Sequence, residues 1–418
     1  MSDSNIKRWL LDSETVSGVQ RCVRCSICVP NCPSYRLYKN ESDSPRGRVQ
    51  LIRGLIEGRI ELTEDVEEHF DRCLGCRACE DVCPSGVPYA RLLDRVRAAA
   101  RSSPHHRVRK RAVAVGLQLG VASKQGRRGA GALARMLGRL GPVRSALESY
   151  VGFMAGPLAS LPAMASAPFV ADRVDSDSNA EFVFFSGCIM STALGDVQRA
   201  SYRALRRRGS VSACPQQECC GALHLHAGLI DEARDLARKN IDALAREPRS
   251  RVCSNSAGCT LALKEYGELL ADDRKYADAA AELSARVVDF IQVIAERPIN
   301  PTRTPAQRNI GVFEACHHWN VNNVRGLTQD ALRAAGIACV TIERVTGCCG
   351  SGGLFSVLQP EAGQELRSQL LDDIAASGCD TLVTSNPGCL MFVKAGAQER
   401  GMDLEVMHLA ELVAELEE

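Results

Sequence analysis

The chain has 418 residues and a formal net charge of +1, since 51 Lys and Arg residues are balanced by 50 Asp and Glu residues. This balance gives the whole molecule no electrostatic preference for nucleic acid, and 5% aromatic residues leave few stacking platforms for single strands. The length and 45% hydrophobic residues predict a soluble, globular protein of two or three domains. Residues 1–27 contain no apolar segment typical of a signal peptide, and no run of about eighteen apolar residues follows. We therefore interpret the 20 cysteines as reduced thiols of a cytoplasmic protein without a membrane span.

Two cysteine motifs near the N-terminus share the spacing C-x2-C-x2-C-x3-C-P. Their cysteines are Cys22, Cys25, Cys28 and Cys32 in the first motif, and Cys73, Cys76, Cys79 and Cys83 in the second. In bacterial-type ferredoxins this spacing binds two cubane 4Fe-4S clusters, and the fourth cysteine of each motif ligates the cluster of the other. The spacing therefore predicts a two-cluster ferredoxin domain.

Cross-ligation gives each predicted cluster four ligands. The first cluster takes Cys22, Cys25, Cys28 and Cys83, and the second takes Cys73, Cys76, Cys79 and Cys32. The proline after each fourth cysteine lacks an N–H and fixes its own φ, which suits a chain turning away from a cluster. Zinc and disulfides are the alternatives, but two complete motifs exceed the four ligands that a zinc site needs.

Helices are predicted around these motifs. Residues 1–20 resemble a short helical lead-in, and residues 44–58 carry apolar side chains at helical spacing between the motifs. Residues 89–101 predict an amphipathic helix that closes the domain. Arg46 and Arg48, at the start of the middle helix, are open to three interpretations: a partner contact, shielding of cluster charge, or a solvated first turn.

Residues 102–178 are predicted to form a basic helical connector rather than a compact domain. Thirteen Lys or Arg residues and no Asp or Glu occur in residues 95–147, and Gly and Pro interrupt short helices such as residues 130–140. A basic segment that also carries Leu and Val suits an anionic membrane surface or an acidic partner. A solvated, Arg-rich linker is the alternative.

From residue 179 onward, strand-like and helix-like segments alternate, which predicts mostly parallel sheets covered by helices. The predicted strands are 181–185, 251–253, 309–313, 338–342 and 381–384, and the predicted helices are 194–208, 228–246, 326–335 and 360–377. The predicted fold is therefore α+β overall. Its parts are a mainly helical ferredoxin domain (1–101), the connector (102–178) and a duplicated α/β region (179–305 and 306–418).

Each half of the α/β region carries three cysteine motifs in the same order. The first half has Cys188, Cys219-Cys220-Gly221 and Cys259, and the second half has Cys316, Cys348-Cys349-Gly350 and Cys389. The near-constant offset of corresponding motifs indicates a duplication. Cysteines after parallel strands gather at the carboxyl edge of a sheet, where four soft thiolates can hold iron and sulfide. We predict a further iron-sulfur centre in each half or, alternatively, redox thiols.

Other cysteines and histidines of this region do not follow the repeat. Cys214, Cys253, Cys339 and Cys379 are interpreted as buried structural thiols, because free cysteine is usually a small core residue. His224, His226, His317 and His318 are interpreted as core or surface residues rather than ligands.

A two-cluster ferredoxin followed by two Cys-Cys-Gly repeats resembles the iron-sulfur subunits of flavin-linked dehydrogenases of the heterodisulfide-reductase type. Within that group the chain is most similar to glycolate oxidase iron-sulfur subunits, through residues 44–49, 72–79, 83–89, 256–267 and 348–353. The resemblance covers nearly everything except about residues 102–178.

One departure separates the chain from heterodisulfide reductase. That enzyme often has Cys-x-x-Cys as the last motif of each repeat, whereas Ser256 and Asn386 replace the first cysteine here. The glycolate-oxidase-like members share this loss. Four cysteines in each repeat still suffice for one 4Fe-4S cluster.

The resemblance implies an electron-transfer subunit with no catalytic residue of its own. Separate FAD-containing subunits are expected to oxidise glycolate to glyoxylate, while this chain passes electrons toward quinone from the inner face of the cytoplasmic membrane. No Gly-rich dinucleotide motif or P-loop motif is present. The alternatives are the equivalent subunit of a D-lactate or anaerobic glycerol-3-phosphate dehydrogenase, a thiol/disulfide enzyme, and a zinc protein or iron-sulfur sensor. Ser256 and Asn386 argue against the thiol/disulfide enzyme.

Overall fold

The structure, a computed structural model, describes residues 8–101, 108–138, 166–171, 179–302, 308–342 and 348–418. The predictions for residues 1–7 and for most of the connector after residue 138 fall outside these ranges. Among the described residues, no helix has both the length and the apolar character needed to cross a membrane.

Six helices carry the described part of the N-terminal domain. They are α1 (Ser13–Gln20), α2 (Pro33–Tyr38), α3 (Pro45–Ile56), α4 (Glu64–Asp71), α5 (Ala78–Asp81) and α6 (Tyr89–Ala100). Helix starts follow local sequence signals, since Asp12, Ser44 and Thr63 each accept a hydrogen bond from a first-turn N–H. Helices α3 and α6 confirm the two helices predicted beside the cluster motifs.

Helix α3 lies at the centre of this domain. Its residues Val49 and Ile52 are buried in one core with Val19 of α1 and Leu92 of α6. Burying such side chains stabilises the domain by roughly 1.5–3 kcal/mol each. The core therefore holds the segments on both sides of the two cysteine motifs together.

The two arginines at the start of α3 have different surroundings. Arg48 is fully buried and donates to the Ser34 hydroxyl at 3.0 Å and to the His69 carbonyl at 2.5 Å. Its guanidinium also lies 3.6 Å from the Asp43 carboxylate. Arg46 is partly exposed and pairs with Glu41 at 2.6 Å. The interpretation as a solvated first turn is therefore wrong for Arg48, whose cation is enclosed by the domain.

The described part of the connector is helical and packs against the rest of the chain. It comprises α7 (Val108–Gly116), a π-helical segment (Leu117–Ala122) and α8 (Lys124–Gly138). Helix α8 begins six residues before the predicted start at residue 130. Leu117 is buried with Leu229 and Leu354, which come from the two halves of the α/β region.

Two four-stranded parallel sheets form the C-terminal region. The first contains β1 (Phe182–Phe185), β2 (Val211–Ala213), β3 (Arg251–Ser254) and β4 (Val287–Asp289), and the second contains β5 (Ile310–Val312), β6 (Cys339–Thr341), β7 (Thr381–Thr384) and β8 (Glu405–His408). The strand orders are β2-β1-β3-β4 and β6-β5-β7-β8, and all six pairings are parallel. The matching orders confirm the predicted duplicated α/β architecture.

Helices cover both sheets. In the first repeat they are α9 (Ile189–Ala193), α10 (Gly195–Arg206), α11 (Ala222–His226), α12 (Ile230–Leu244), α13 (Ala257–Lys264), α14 (Tyr266–Leu269), α15 (Ala277–Arg286) and α16 (Phe290–Glu296). In the second they are α17 (Cys316–Asn320), α18 (Leu327–Ala334), α19 (Phe355–Leu358), α20 (Pro360–Ser377), α21 (Pro387–Glu399) and α22 (Leu409–Glu417).

The two repeats pack on each other around reciprocal contacts. Asp289, at the end of β4, caps α16 and accepts from His318 of the second repeat at 2.9 Å. His408, at the end of β8, caps α22 and lies 2.9 Å from the Asn255 carbonyl of the first repeat. A single hydrophobic core contains residues of both repeats. The carboxyl edges of the two sheets are thus held close together.

Candidate iron-sulfur sites

The four cysteines assigned to the first cluster line one pocket. Cys22, Cys25, Cys28 and Cys83 lie around an open pocket with an empty volume of about 460 Å³. Cys79 of the second motif lines the same pocket, so the two predicted cluster sites are adjacent. Four thiols converging on one open volume fit a 4Fe-4S cluster.

The cysteines assigned to the second cluster lie in the interior. Cys32, Cys73 and Cys79 are buried, and Cys76 is half-buried. Burial raises the pKa of Cys79 well above its usual range, and the nearby sulfurs of Cys76, Cys73 and Cys32 raise it further. A thiolate here needs a positive partner to offset its burial, which bound iron provides.

A buried cation lies next to this second site. The thiols of Cys73 and Cys32 are close enough to Arg48 to favour its charged form electrostatically. Tyr89 donates a hydrogen bond to the Cys73 sulfur at 3.6 Å. Of the interpretations given for Arg48, shielding of cluster charge fits this position.

The second cluster motif contacts the second repeat directly. After burial, the sulfurs of Cys316 and Cys348 are the next strongest influences that raise the pKa of Cys76. The Gly75 carbonyl lies 3.1 Å from His317 Nε2, and the Cys76 carbonyl accepts from Asn320 at 2.7 Å. The ferredoxin domain is therefore joined to the second repeat at the cysteines themselves.

The first repeat gathers its four predicted cysteines. The sulfurs of Cys188 and Cys219 are 3.5 Å apart. The Cys220 thiol forms hydrogen bonds with Cys219 and Cys259, which raise its pKa. Three separate loops thus bring four sulfurs to the carboxyl edge of one sheet, as the sequence predicts.

The second repeat also brings its cysteines together. The sulfurs of Cys349 and Cys389 are 3.0 Å apart, and Cys348 is hydrogen-bonded to Cys349. Cys316 and Cys348 both lie near Cys76 of the ferredoxin domain. Asn386 donates to the Cys389 sulfur at 3.5 Å, so the residue that replaces a cysteine still contacts the group.

The glycine of each Cys-Cys-Gly motif has a conformational role. Gly221 and Gly350 have φ values of +88° and +82°, in the region that favours glycine. A Cβ on Gly350 would lie 2.2 Å from the Gly363 carbonyl oxygen. Gly350 thus allows a close backbone approach, whereas a Cβ on Gly221 would lie 3.5 Å from Ala233, in ordinary contact.

The last cysteine loops of the two repeats face each other. The Ala257 N–H donates to the Ser385 carbonyl at 3.4 Å, and Asn322 donates to the Ala257 carbonyl at 3.1 Å. A Cβ on Gly258 would lie 3.9 Å from both His317 Nδ1 and the Asn386 side-chain oxygen. The two cysteine groups are therefore neighbours.

The connector covers the first repeat's group. Val121 and Ala122 pack against Cys188 and Cys219. Arg127 is ion-paired with Glu218 at 2.9 Å and lowers the pKa of Cys188 electrostatically, although the neighbouring thiols and burial raise it more. The part of the connector that the structure describes is thus one wall of this site, a role that the sequence did not indicate.

Two histidines that are interpreted from the sequence as core or surface residues lie beside the cysteine groups. His224 is fully buried beside the Cys219 thiol, so it is a core residue. His226 lies between Gly75 and Gly353, and burial lowers its pKa to about 3, so the ring is neutral at pH 7. They follow Gly221 of the first Cys-Cys-Gly motif by three and five residues.

The cysteines outside the repeat pattern behave in two ways. No disulfide joins any of the twenty cysteines, all of which lie in the described residues. Cys214 and Cys253 are buried, as predicted for structural thiols. Cys339 and Cys379 are only half-buried, so that prediction was wrong for them: Cys339 lies in β6 at the edge of its sheet, and Cys379 in the turn before β7.

In the part of the chain that the structure describes, no three or more His, Cys, Asp or Glu side chains are arranged to hold a single metal ion.

Family models match both parts of the chain. A 4Fe-4S dicluster domain matches residues 18–87, and a cysteine-rich domain matches twice, at residues 182–264 and 310–394. The first match shows that the N-terminal domain binds two 4Fe-4S clusters rather than zinc or disulfides. The second shows that the repeat is two copies of one domain.

Two known proteins align over almost the whole chain, and a third aligns over about half of it. A probable glycolate oxidase iron-sulfur subunit of Bacillus subtilis is 32% identical over 94% of this chain and 93% of its own length. The glycolate oxidase iron-sulfur subunit of Escherichia coli is 29% identical over 90% of each chain. Lactate utilization protein A of an Exiguobacterium species is 26% identical over 55% of this chain. With its dicluster domain and two cysteine-rich domains, the chain belongs to the family of glycolate oxidase iron-sulfur subunits.

Proposed function

We propose that this chain is the electron-transfer subunit of a multi-subunit, flavin-linked glycolate dehydrogenase, which relays electrons from FAD-containing subunits toward membrane quinone. One observation carries the proposal: four cysteine groups form an unbroken series from an exposed pocket to the covered site under the connector. Oxidation of a 2-hydroxy acid needs an organic cofactor that accepts two electrons, whereas iron-sulfur centres carry electrons singly. The chain is therefore a relay for a flavoprotein.

Contacts between the groups support an order of transfer. Electrons enter at the exposed first cluster site, because Cys25 is exposed there. They continue to the adjacent second site and then to the second repeat, since Cys76 lies beside Cys316. The last step leads to the first repeat, whose Gly258 loop faces Asn386.

The ligand assignment is part of the proposal. The first cluster is held by Cys22, Cys25, Cys28 and Cys83, and the second by Cys73, Cys76, Cys79 and Cys32. In the repeats the ligands are Cys188, Cys219, Cys220 and Cys259, and Cys316, Cys348, Cys349 and Cys389. The grouping of these sulfurs supports the assignment, and the exposure of the first group matches a site that receives electrons from another protein.

The connector is the proposed contact with the membrane. Val115 and Leu119 are 51% and 66% exposed, and Leu133 and Met136 are 52% and 54% exposed. Exposed cations, including Arg111 and Arg128, lie among them. Apolar side chains with cations suit the interface of an anionic bilayer. Peripheral attachment to the inner face of the cytoplasmic membrane would place the first repeat closest to quinone.

Co-purification from the native host tests the complex. The expected result is a complex that contains flavoprotein subunits, in which glycolate bleaches the iron-sulfur absorbance and D-lactate or glycerol 3-phosphate does not. Bleaching by D-lactate instead would assign the chain to a lactate enzyme. Glycolate-dependent dye reduction by this chain alone, free of flavin, would contradict the proposal.

A further inference from the structure

The two cluster motifs present corresponding segments to very different surroundings. Residues 23–25 of the first motif correspond to residues 74–76 of the second, since each trio ends in the second cysteine of its motif. The two motifs thus provide an internal comparison of what the same segment does in each place.

In the second motif this segment is a docking surface within the chain. Leu74 is buried among apolar side chains of the second repeat. The carbonyls of Gly75 and Cys76 interact with His317 and Asn320, at 3.1 and 2.7 Å. This contact brings the second cluster site against the cysteines of the second repeat.

In the first motif the same segment is open. Val23, which corresponds to Leu74, is 68% exposed, and Ile27 is 49% exposed. Cys25 lies between these two apolar side chains in the sequence. All twenty cysteines are in the described residues, and Cys25 is the exposed one. The first cluster site thus has an apolar, uncovered rim.

Arginines predominate around this rim, where the carboxylate of Glu41 is already paired with Arg46. Residues 16–32 and 82–93 contain no Asp or Glu. Arg21 and Arg24 are exposed, and neither forms an ion pair with a described residue. A partner with carboxylates around its own redox centre is complementary to such a surface.

The backbone gives an independent indication. Arg24 has a φ of +59°, which L-residues rarely adopt, and the corresponding residue of the second motif is Gly75 with a φ of +68°. Glycine would fit without strain at position 24. Strain of this kind persists at functional sites, where the side chain has a use that glycine does not provide.

We propose that Val23, Arg24 and Ile27 form the docking surface for the electron-donating subunit, an FAD-containing protein with an acidic rim around its cofactor. The inference rests on the proposed function for the identity of the partner. This surface contacts the donor in the way that the segment around Leu74 contacts the second repeat. It brings the donor's cofactor to the exposed side of the first cluster, which gains one electron as the reduced flavin loses one.

Binding of the isolated flavoprotein subunits to the full-length chain tests this surface. Val23→Asp and Arg24→Glu are each expected to raise the Kd at least tenfold at low salt. Val340→Asp and Arg207→Glu, which change an exposed valine and an exposed arginine of the repeats, are the matched controls and should leave the Kd unchanged. Raising the salt concentration should weaken wild-type binding more than binding of Arg24→Glu, because salt screens exposed charges.

Arg24→Gly tests whether a loss of binding could come from a loss of folding stability. It copies the residue of the second motif and relieves the left-handed strain, so the melting temperature should not fall while the Kd rises. Iron content, the absorbance of both clusters and their reduction by dithionite should match those of the wild type in all variants.

The possible outcomes separate a failure of the proposed docking surface from a failure of the proposed function. Wild-type affinity in Val23→Asp and Arg24→Glu overturns the docking surface and leaves the proposed function standing. Tight wild-type binding that is lost in these variants, without cluster reduction by any 2-hydroxy acid, supports the surface and overturns the glycolate assignment. Absence of binding between the wild-type chain and the flavoprotein overturns both.

Discussion

The two cysteine-rich repeats have the same sheet but different neighbours. Both order their strands in the same way, and both place cysteines after corresponding strands. Both repeats contact the ferredoxin domain, but the cysteine group of the first lies under the connector, through Val121 and Arg127, whereas that of the second lies beside Cys76, through Cys316. Duplication thus sets where thiols converge, and the surrounding segments set which group lies beside the ferredoxin cysteines.

The groups also differ in what supports them. In the first repeat, Tyr266 donates to the Cys220 carbonyl at 3.0 Å, and Asn240 donates to the Cys219 carbonyl at 2.9 Å. His224 follows the first Cys-Cys-Gly motif, while Gly353 occupies the corresponding position of the second. Tyr266 and Asn240 thus give the Cys-Cys-Gly motif of the first repeat a polar support.

The largest expected effect is the loss of the second cluster, which lies where the ferredoxin domain contacts the second repeat. Cys32→Ser should abolish the cluster of Cys73, Cys76 and Cys79, because cross-ligation makes Cys32 its fourth ligand. Electron paramagnetic resonance of the reduced protein should then show the first cluster but not the second. Loss of only the first cluster would mean that each motif ligates its own cluster.

Matched substitutions in the two repeats sharpen the comparison. Cys348→Ala should block reduction of both repeats, whereas Cys219→Ala should leave the second repeat reducible and stop transfer only beyond it. Each variant should lose the iron of one centre, measured by iron analysis beside rapid-freeze spectroscopy of the glycolate-reduced complex. Equal blockage by both variants would contradict the order of transfer.

A smaller effect, a loss of folding stability, is expected when the polar support of the first repeat is removed. Tyr266→Phe removes a hydroxyl that bonds both Asn240 and the Cys220 carbonyl, and leaves buried groups unpaired. Such a loss costs about 1–3 kcal/mol, measurable by denaturant unfolding. Tyr276→Phe is the control, because its hydroxyl bonds Asp242 at the surface, and it should change stability by less than about 0.5 kcal/mol. Equal losses of stability in the two variants would contradict a specific supporting role for the Tyr266 hydroxyl.

A pH-dependent effect on stability is expected at the contact between α6 and the first repeat. Asp94 lies in a cavity with Arg77 and Glu265, and burial raises its pKa from 3.8 to about 8. The folded state favours the protonated carboxyl, so its contribution to stability is complete below pH 4 and is lost as pH rises toward 8. The melting temperature of Asp94→Asn should therefore increase relative to that of the wild type as pH rises from 5 to 9. The exposed Asp403→Asn should show no such trend; a flat difference for Asp94→Asn would contradict burial as the cause.

Helix α20 and five of the strands were predictable, and three strands were not. The helix at residues 360–377 and the strand at residues 381–384 were predicted to the residue. Strands β2, β4 and β8 were missed, although β5 and β6 are equally short, because three or four residues carry only a weak strand pattern. Their place in the sheets depends on pairing with distant strands.

The sequence by itself determined the family, the two ferredoxin motifs and the duplicated cysteines, because ligand spacing and repeat register are local properties of the chain. Only the tertiary structure decided that Cys25 is exposed while Cys76 lies against Cys316, and that Val121 covers the first repeat. These contacts join residues far apart in the chain. Identical spacings in two motifs therefore give no information about which one faces a partner, since that depends on what the rest of the fold packs against each.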